Sequence, residues 1–199
     1  MARSAHREAV GYFEQALSAL PHLPEQRDTR EQAIDLRLAL RAALIPSGDL
    51  GRMLAYLREA ETLAAALDDP RRLGQVSRFL ALQYYFMGTH GQAIAAAQRA
   101  LALATAGRDV VQQALANQYL GVAYQAQGNY RRAIDCFAQT VASLDGTRRY
   151  ERFGEAFLPV VLSLAYLAWC HAELGMFTED QAFGDEGLRI AEVVDHPRL

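Results

Sequence analysis

Residues 116–144 read ANQYLGVAYQAQGNYRRAIDCFAQTVASL, and the placing of small and aromatic residues along this stretch decides the fold. Two apolar-periodic segments flank Gly128, a residue suited to the left-handed turn that ends a helix. Gly121 and Ala133 are the small residues that let two helices of a hairpin approach closely. Tyr124, Tyr130 and Phe137 fill the space around them. These are packing residues, and the unit they specify is a helix hairpin.

Working outward, the same turn recurs. Gly48-Asp49-Leu50, Gly88-Thr89-His90 and Gly128-Asn129-Tyr130 place their glycines forty residues apart twice, and Gly175-Met176-Phe177 follows after forty-seven. A fixed period of this length is the signature of a repeat array. Leu80-Ala81, Tyr84, Gly88, Ala93 and Ala100 repeat the pattern before the deciding stretch, and Leu167-Ala168, Gly175, Phe177 and Gly187 repeat it after, with Asp180 where a small residue is expected. The first unit departs most: Arg41 stands where Ala81 and Gly121 stand later, and Pro46 lies near the end of its first helix.

The periodicity predicts helices near 4–20, 28–45, 50–67, 71–87, 90–105, 109–127, 130–144, 155–174 and 177–194. Grouped, they make a half repeat at 1–24, repeats at 28–68, 69–108, 109–146 and 155–194, and the start of another at 195–199. Ala9, Phe13, Ala16 and Pro21 match the second helix of a unit whose first helix is missing, and Asp195-His196-Pro197-Arg198-Leu199 echoes Asp69-Pro70-Arg71-Arg72-Leu73. Neither end carries a polar capping repeat. The expectation is a piece of a longer array, or one whose ends pair with another chain. Gly146, Gly154 and Pro159 break the periodicity before the last unit, marking a longer connection or extended helix, or a recognition loop carrying Arg148, Arg149 and Arg152.

Leu120-Gly121, Tyr124, Gly128, Tyr130, Ala133 and Phe137 resemble the tetratricopeptide signature at matching spacings. The resemblance implies an all-α, right-handed superhelical solenoid of antiparallel helix pairs with repeats of about forty residues. In such arrays the first helix of each pair lines a concave groove. Placed on that arrangement, Asp35, Leu38, Arg78, Leu82, Tyr85, Phe86, Gln118, Val122, Gln125 and Trp169 turn inward as a protein- or peptide-binding groove. Aromatics suit an interface because they supply rigid area, and an arginine suits a carboxylate. The lysines and asparagines by which chaperone-tail adaptors clamp a terminal carboxylate are absent, Leu38, Ala42, Arg78, Leu82, Gln118 and Val122 standing at those places.

A further resemblance covers most of the chain. AHREAVGYFEQALSAL (5–20), RDTREQAIDLRLALRAAL (27–44), YLREAETLAAALDD (56–69) and GNYRRAIDCFAQTVASL (128–144) look like the repeat region C-terminal to the catalytic and ATPase domains of large bacterial adenylate/guanylate cyclase-like proteins. It implies a regulatory, partner-sensing segment of a signalling protein. Similar arrays occur in bacterial transcription regulators, where a ligand or peptide inside the superhelix controls a DNA-binding partner. Self-assembly through uncapped ends is the remaining alternative.

Composition limits other roles. The 199 residues are 51% hydrophobic, enough for a substantial core, and the formal net charge of −3 gives no basic excess for nucleic acid or anionic lipid. The twenty basic residues are all arginine. The two cysteines, Cys136 and Cys170, are too few for a disulfide framework and fit a reduced, cytoplasmic setting. No run of about 18 apolar residues suggests a membrane span. Without lysine no phosphate loop is complete, and neither H-E-x-x-H, C-x-x-C nor G-x-S-x-G occurs. His6, His22, His90, His171 and His196 are scattered, and adjacent Cys170-His171 point about 100° apart on a helix, a poor chelate. Glu179, Asp180, Asp185 and Glu186 read as a solvated face. No catalytic residue, cofactor or metal is expected.

Overall fold

Helices form close to where the periodicity predicts them, with capping side chains at several starts and left-handed glycines at several ends. The computed structural model describes residues 2–195, the side chains of 2–5, 177–180 and 195 excepted. Among these residues lie nine α-helices: α1 (Ala2–Ala19), α2 (Arg27–Leu44), α3 (Leu50–Ala66), α4 (Pro70–Phe86), α5 (His90–Ala106), α6 (Val110–Ala126), α7 (Tyr130–Ser143), α8 (Pro159–Glu173) and α9 (Phe177–Asp195). No strand occurs among them. Residues 196–199, and with them most of the expected further repeat, lie outside the described residues.

The starts of α3, α4 and α6 are capped by short side chains. Asp49, Asp69 and Asp109 accept hydrogen bonds at Oδ1 from the amides of Arg52 (3.1 Å), Arg72 (3.0 Å) and Gln112 (3.0 Å), satisfying donors that a helix leaves unpaired. Pro70 fits the first turn of α4, where no amide is needed. The helix ends use the repeated glycines: Gly88, Gly128 and Gly175 have φ of 72°, 74° and 76°. After two of them, Thr89 and Asn129 donate back to the carbonyls of Tyr84 and Tyr124 at 2.9 Å, closing the last turn. The first unit departs as Pro46 predicts. α2 stops at Leu44, and residues Ile45–Ser47 tighten into a 3-10 turn before Gly48.

Packing follows the small residues. Gly121 lies against the Phe137 ring, Gly74 against Leu103, and Gly187 against Leu164, so one helix of each pair lets a large side chain of the other reach its backbone. Ile34, Leu57, Val76, Leu80, Phe137 and Val160 are fully or almost fully buried in one continuous core. Buried polar groups mostly tie helices together. Gln83 Nε2 donates to the Leu50 carbonyl (2.9 Å), and Thr140 Oγ1 donates to the carbonyls of Ala114 (2.9 Å) and Cys136 (3.1 Å).

The first helices α4, α6 and α8 pack side by side, whereas the second helices of successive pairs do not make comparable contact. The stack is therefore tighter on the first-helix side and curves with those helices inside. One expectation is corrected at the last unit. Helix α8 begins at Pro159 and not near 155, because Pro159 occupies its first turn and Leu158 before it is extended, as a residue preceding proline prefers. Residues 145–158 form a connection, with a 3-10 turn at Gly146–Tyr150 that packs on α8 and α9.

Candidate functional site on the inner helix face

The first helices carry an exposed aromatic surface and a buried charged cluster. On the aromatic side, Phe86 at the end of α4 is 57% exposed and Trp169 on α8 is 50% exposed, large values for such apolar side chains. Tyr85, half-buried, meets Phe86 edge-on at 5.3 Å. Trp169 stacks on Tyr166 at 5.8 Å, and Tyr166 on Phe137 at 5.0 Å, so the exposed indole rests on a column that reaches the core. Its Nε1 donates to Glu173 at 3.0 Å. Burial, with the Tyr85 hydroxyl alongside, pushes the Tyr166 phenol up to about 12.

The charged cluster gathers side chains of α2, α4, α6 and the 145–158 connection. Arg78 of α4 is 3% exposed and pairs with Glu155, which comes from the 145–158 connection. The other Glu155 oxygen accepts a 2.6 Å hydrogen bond from the Tyr119 hydroxyl of α6. The Arg78 guanidinium also lies 4.7 Å from the Phe79 ring centre and 5.6 Å from that of Tyr119. Arg41 of α2 joins from the neighbouring unit, its guanidinium 4.5 Å from the Phe79 ring centre. Burial pulls the Arg41 pKa down, while Tyr119 and Glu155 pull it back. Burial is also the main reason the Tyr119 phenol is shifted upward, with the Glu155 carboxylate adding to it. The Nε atoms of both arginines are buried without a hydrogen-bond partner.

The ten residues expected on the groove meet different fates. Phe86 and Trp169 are open to a partner, and Leu82, Tyr85 and Leu38 are half-buried. Asp35 is exposed but paired with Arg72, which also meets Glu31 at 3.2 Å. Gln118, Val122 and Gln125 are buried, only 4–8% of each exposed, because α6 is enclosed almost all round by its neighbours. Sequence reading passed over Glu155, Tyr119 and Tyr166 and took Arg41 only as a misfit. Phe79 and Tyr119, aromatic and forty residues apart, carried a faint repeat signal; Glu155 carried none. Of the arginines considered for a recognition loop, Arg149 pairs with Glu186 at 3.1 Å and Arg152 donates to the Ala156 carbonyl at 2.6 Å, leaving Arg148 exposed.

Among the described residues, no group of three or more His, Cys, Asp or Glu side chains is arranged to hold a metal ion, and no helix is long and apolar enough to cross a membrane. Both cysteines are buried thiols.

Residues 72–145 match the family model described as Tetratricopeptide repeat. A search of curated proteins found no match. Several solved structures share the fold at low identity. BtubC (BKLC) from P. vanneervenii is 16% identical with a TM-score of 0.79, over 100% of this chain and 78% of that one. The TPR-like repeats of a putative kinesin light chain from Podosopora anserina are 19% identical with a TM-score of 0.70, over 100% and 92%. A Rap protein complexed with Competence and Sporulation Factor is 16% identical with a TM-score of 0.78, over 98% of this chain and 51% of that one. Residues 72–145 thus match the tetratricopeptide repeat model, and the described residues fold as an all-helical, TPR-like solenoid.

Proposed function

We propose that the chain is a protein-interaction module that holds a protein or peptide partner against its inner helix face, with a scaffolding or regulatory and not a catalytic role. The observation that carries this reading is the pair Phe86 and Trp169, 57% and 50% exposed on the first helices α4 and α8. Two large aromatics with one face packed and one face free are the anchors that binding surfaces use. The Rap protein of like fold, solved complexed with Competence and Sporulation Factor, lends support to a binding role. Resemblance in sequence further suggests the regulatory segment of a larger bacterial signalling protein acting in the cytoplasm, a nucleotide cyclase being the parent it looks most like.

The test is the double variant Phe86→Ala/Trp169→Ala in a capture experiment against lysate of the source cells. Both side chains are half-exposed, so helicity and melting should change little. Loss of captured proteins with the fold intact supports the reading. Unchanged capture removes these aromatics from the binding surface.

A second reading, self-assembly, has its own observation. Leu188 and Val193 on α9 are 65% and 56% exposed, apolar side chains on the last described helix, where a further helix pair would stack. Light scattering over a wide concentration range decides it: a monomer throughout excludes stacking, and a concentration-dependent ladder that Leu188→Glu abolishes supports it.

A further inference from the structure

The 145–158 connection does more than join two repeats. Glu155 crosses from it to the inner face, where its carboxylate meets Arg78 of α4, 77 residues away in sequence, and Tyr119 of α6. A carboxylate seated on an arginine and a tyrosine is how an acidic peptide side chain is recognised. Here the chain supplies that side chain itself.

Charge within the cluster is unbalanced. Arg78 and Arg41 share the Phe79 ring, both buried, and a single carboxylate faces them. Among the described residues Arg41 has no carboxylate within ion-pair distance, and its buried Nε has no acceptor. Two buried guanidiniums that share one carboxylate leave the cluster one negative charge short.

The connection is also fastened at a few points. It is tied at its start by Arg149 to Glu186 of α9 and at its end by buried Leu158 and Pro159. Between these anchors Phe153 and Gly154 have consecutive positive φ values of 50° and 80°. Phe153 carries a side chain in that conformation, a local strain, and packs partly buried against the core. Beside Glu155, Phe157 is 67% exposed.

We propose that residues 145–158 are an internal ligand of the inner face, and that the partner is an acidic peptide segment whose two carboxylates displace Glu155 and engage Arg78 and Arg41 together. This rests on the reading of the inner face as the binding surface and adds to it the chemistry of the partner and the device that competes with it. Binding is then reduced by the fraction of molecules in which the connection is docked.

The experiment uses the full chain and a fluorescein-labelled tetraglutamate peptide, with tetraglutamine as control, followed by fluorescence anisotropy. Glu155→Gln keeps the size of the side chain and removes its charge, so tetraglutamate should bind this variant about tenfold or more tightly than the wild type. Tetraglutamine should bind neither. Adding Arg41→Gln to Glu155→Gln should abolish the gain. Equal affinity for wild type and Glu155→Gln overturns the proposal, as does a gain that survives the loss of Arg41. Should the double variant fail to fold, amide hydrogen exchange on the wild type provides the second readout. Exchange within 151–157 should quicken when tetraglutamate is added and not when tetraglutamine is; unchanged exchange overturns the proposal. If tetraglutamate binds no form while Phe86→Ala/Trp169→Ala still lowers capture, the inner face stands as a binding surface and this inference alone fails.

Discussion

Replacing Gly121 by alanine sets two well-measured effects against each other. In a helix interior the change adds about 1 kcal/mol of stability through backbone propensity. At this position, however, the new Cβ would stand 2.8, 2.9 and 3.0 Å from Cε1, Cζ and Cδ1 of Phe137. Carbon atoms in contact prefer about 3.5–4.0 Å, so the ring or the helix has to retreat by roughly 0.7 Å. The ring has little room, being fully buried with Tyr166 stacked on it at 5.0 Å. Overpacking of this kind costs about 1–3 kcal/mol, which outweighs the propensity gain and leaves a net loss of about 1 kcal/mol. Gly11 in α1 is the control, since a Cβ there meets nothing within 4 Å. Gly11→Ala should therefore gain about 1 kcal/mol and Gly121→Ala lose about as much. For a chain of this length the two melting temperatures should differ by about 4–8 °C, read by circular dichroism at 222 nm and checked by urea titration. Phe137→Leu placed in the Gly121→Ala background should show a favourable coupling of about 1 kcal/mol, because the smaller side chain makes room for the methyl. A Gly121→Ala protein that melts at or above the wild type would refute the reasoning, showing that the hairpin relaxes without cost.

Other consequences are open to simpler tests. Thr140→Val preserves shape but removes the hydroxyl donor to the Ala114 carbonyl, and should cost about 1–2 kcal/mol in urea unfolding. Asp109→Ala removes the acceptor of the Gln112 amide at the start of α6, a loss of about 1 kcal/mol that Asp109→Asn should largely spare. Burial pushes the thiols of Cys136 and Cys170 from an ordinary 9.0 up to about 11, so both should resist Ellman's reagent at pH 8 in the native state and react once unfolded. The same shifts fix the sign of the alkaline pH dependence. Between pH 9 and 11 the unfolded thiols lose protons that the folded ones keep, so stability falls as pH rises, and the raised Tyr166 phenol extends the fall toward about 12. Flat melting temperatures from pH 8 to 11 would contradict those shifts.

Much of the architecture is written locally. Gly88, Gly128 and Gly175 end helices in left-handed turns, Asp69 and Asp109 begin them, and Gly121 and Gly187 mark close approaches; each acts within its own turn or hairpin, so its meaning can be read from a short window. Phe86 and Trp169 were singled out for the same reason, and both are about half exposed on the first helices α4 and α8. Only the packed array decided the rest. Gln118, Val122 and Gln125 share the repeat positions of the groove yet are buried, because the first helices crowd together around α6. Glu155 sits within a break in the period, and its partners Arg78 and Tyr119 lie 77 and 36 residues away. Arg41, a misfit for a small-residue position, finds its place over the ring of Phe79 in the next unit. Periodicity and capping fix which residues form a helix and which face turns inward, whereas burial and ion pairing depend on what the curvature of the whole stack brings against that face.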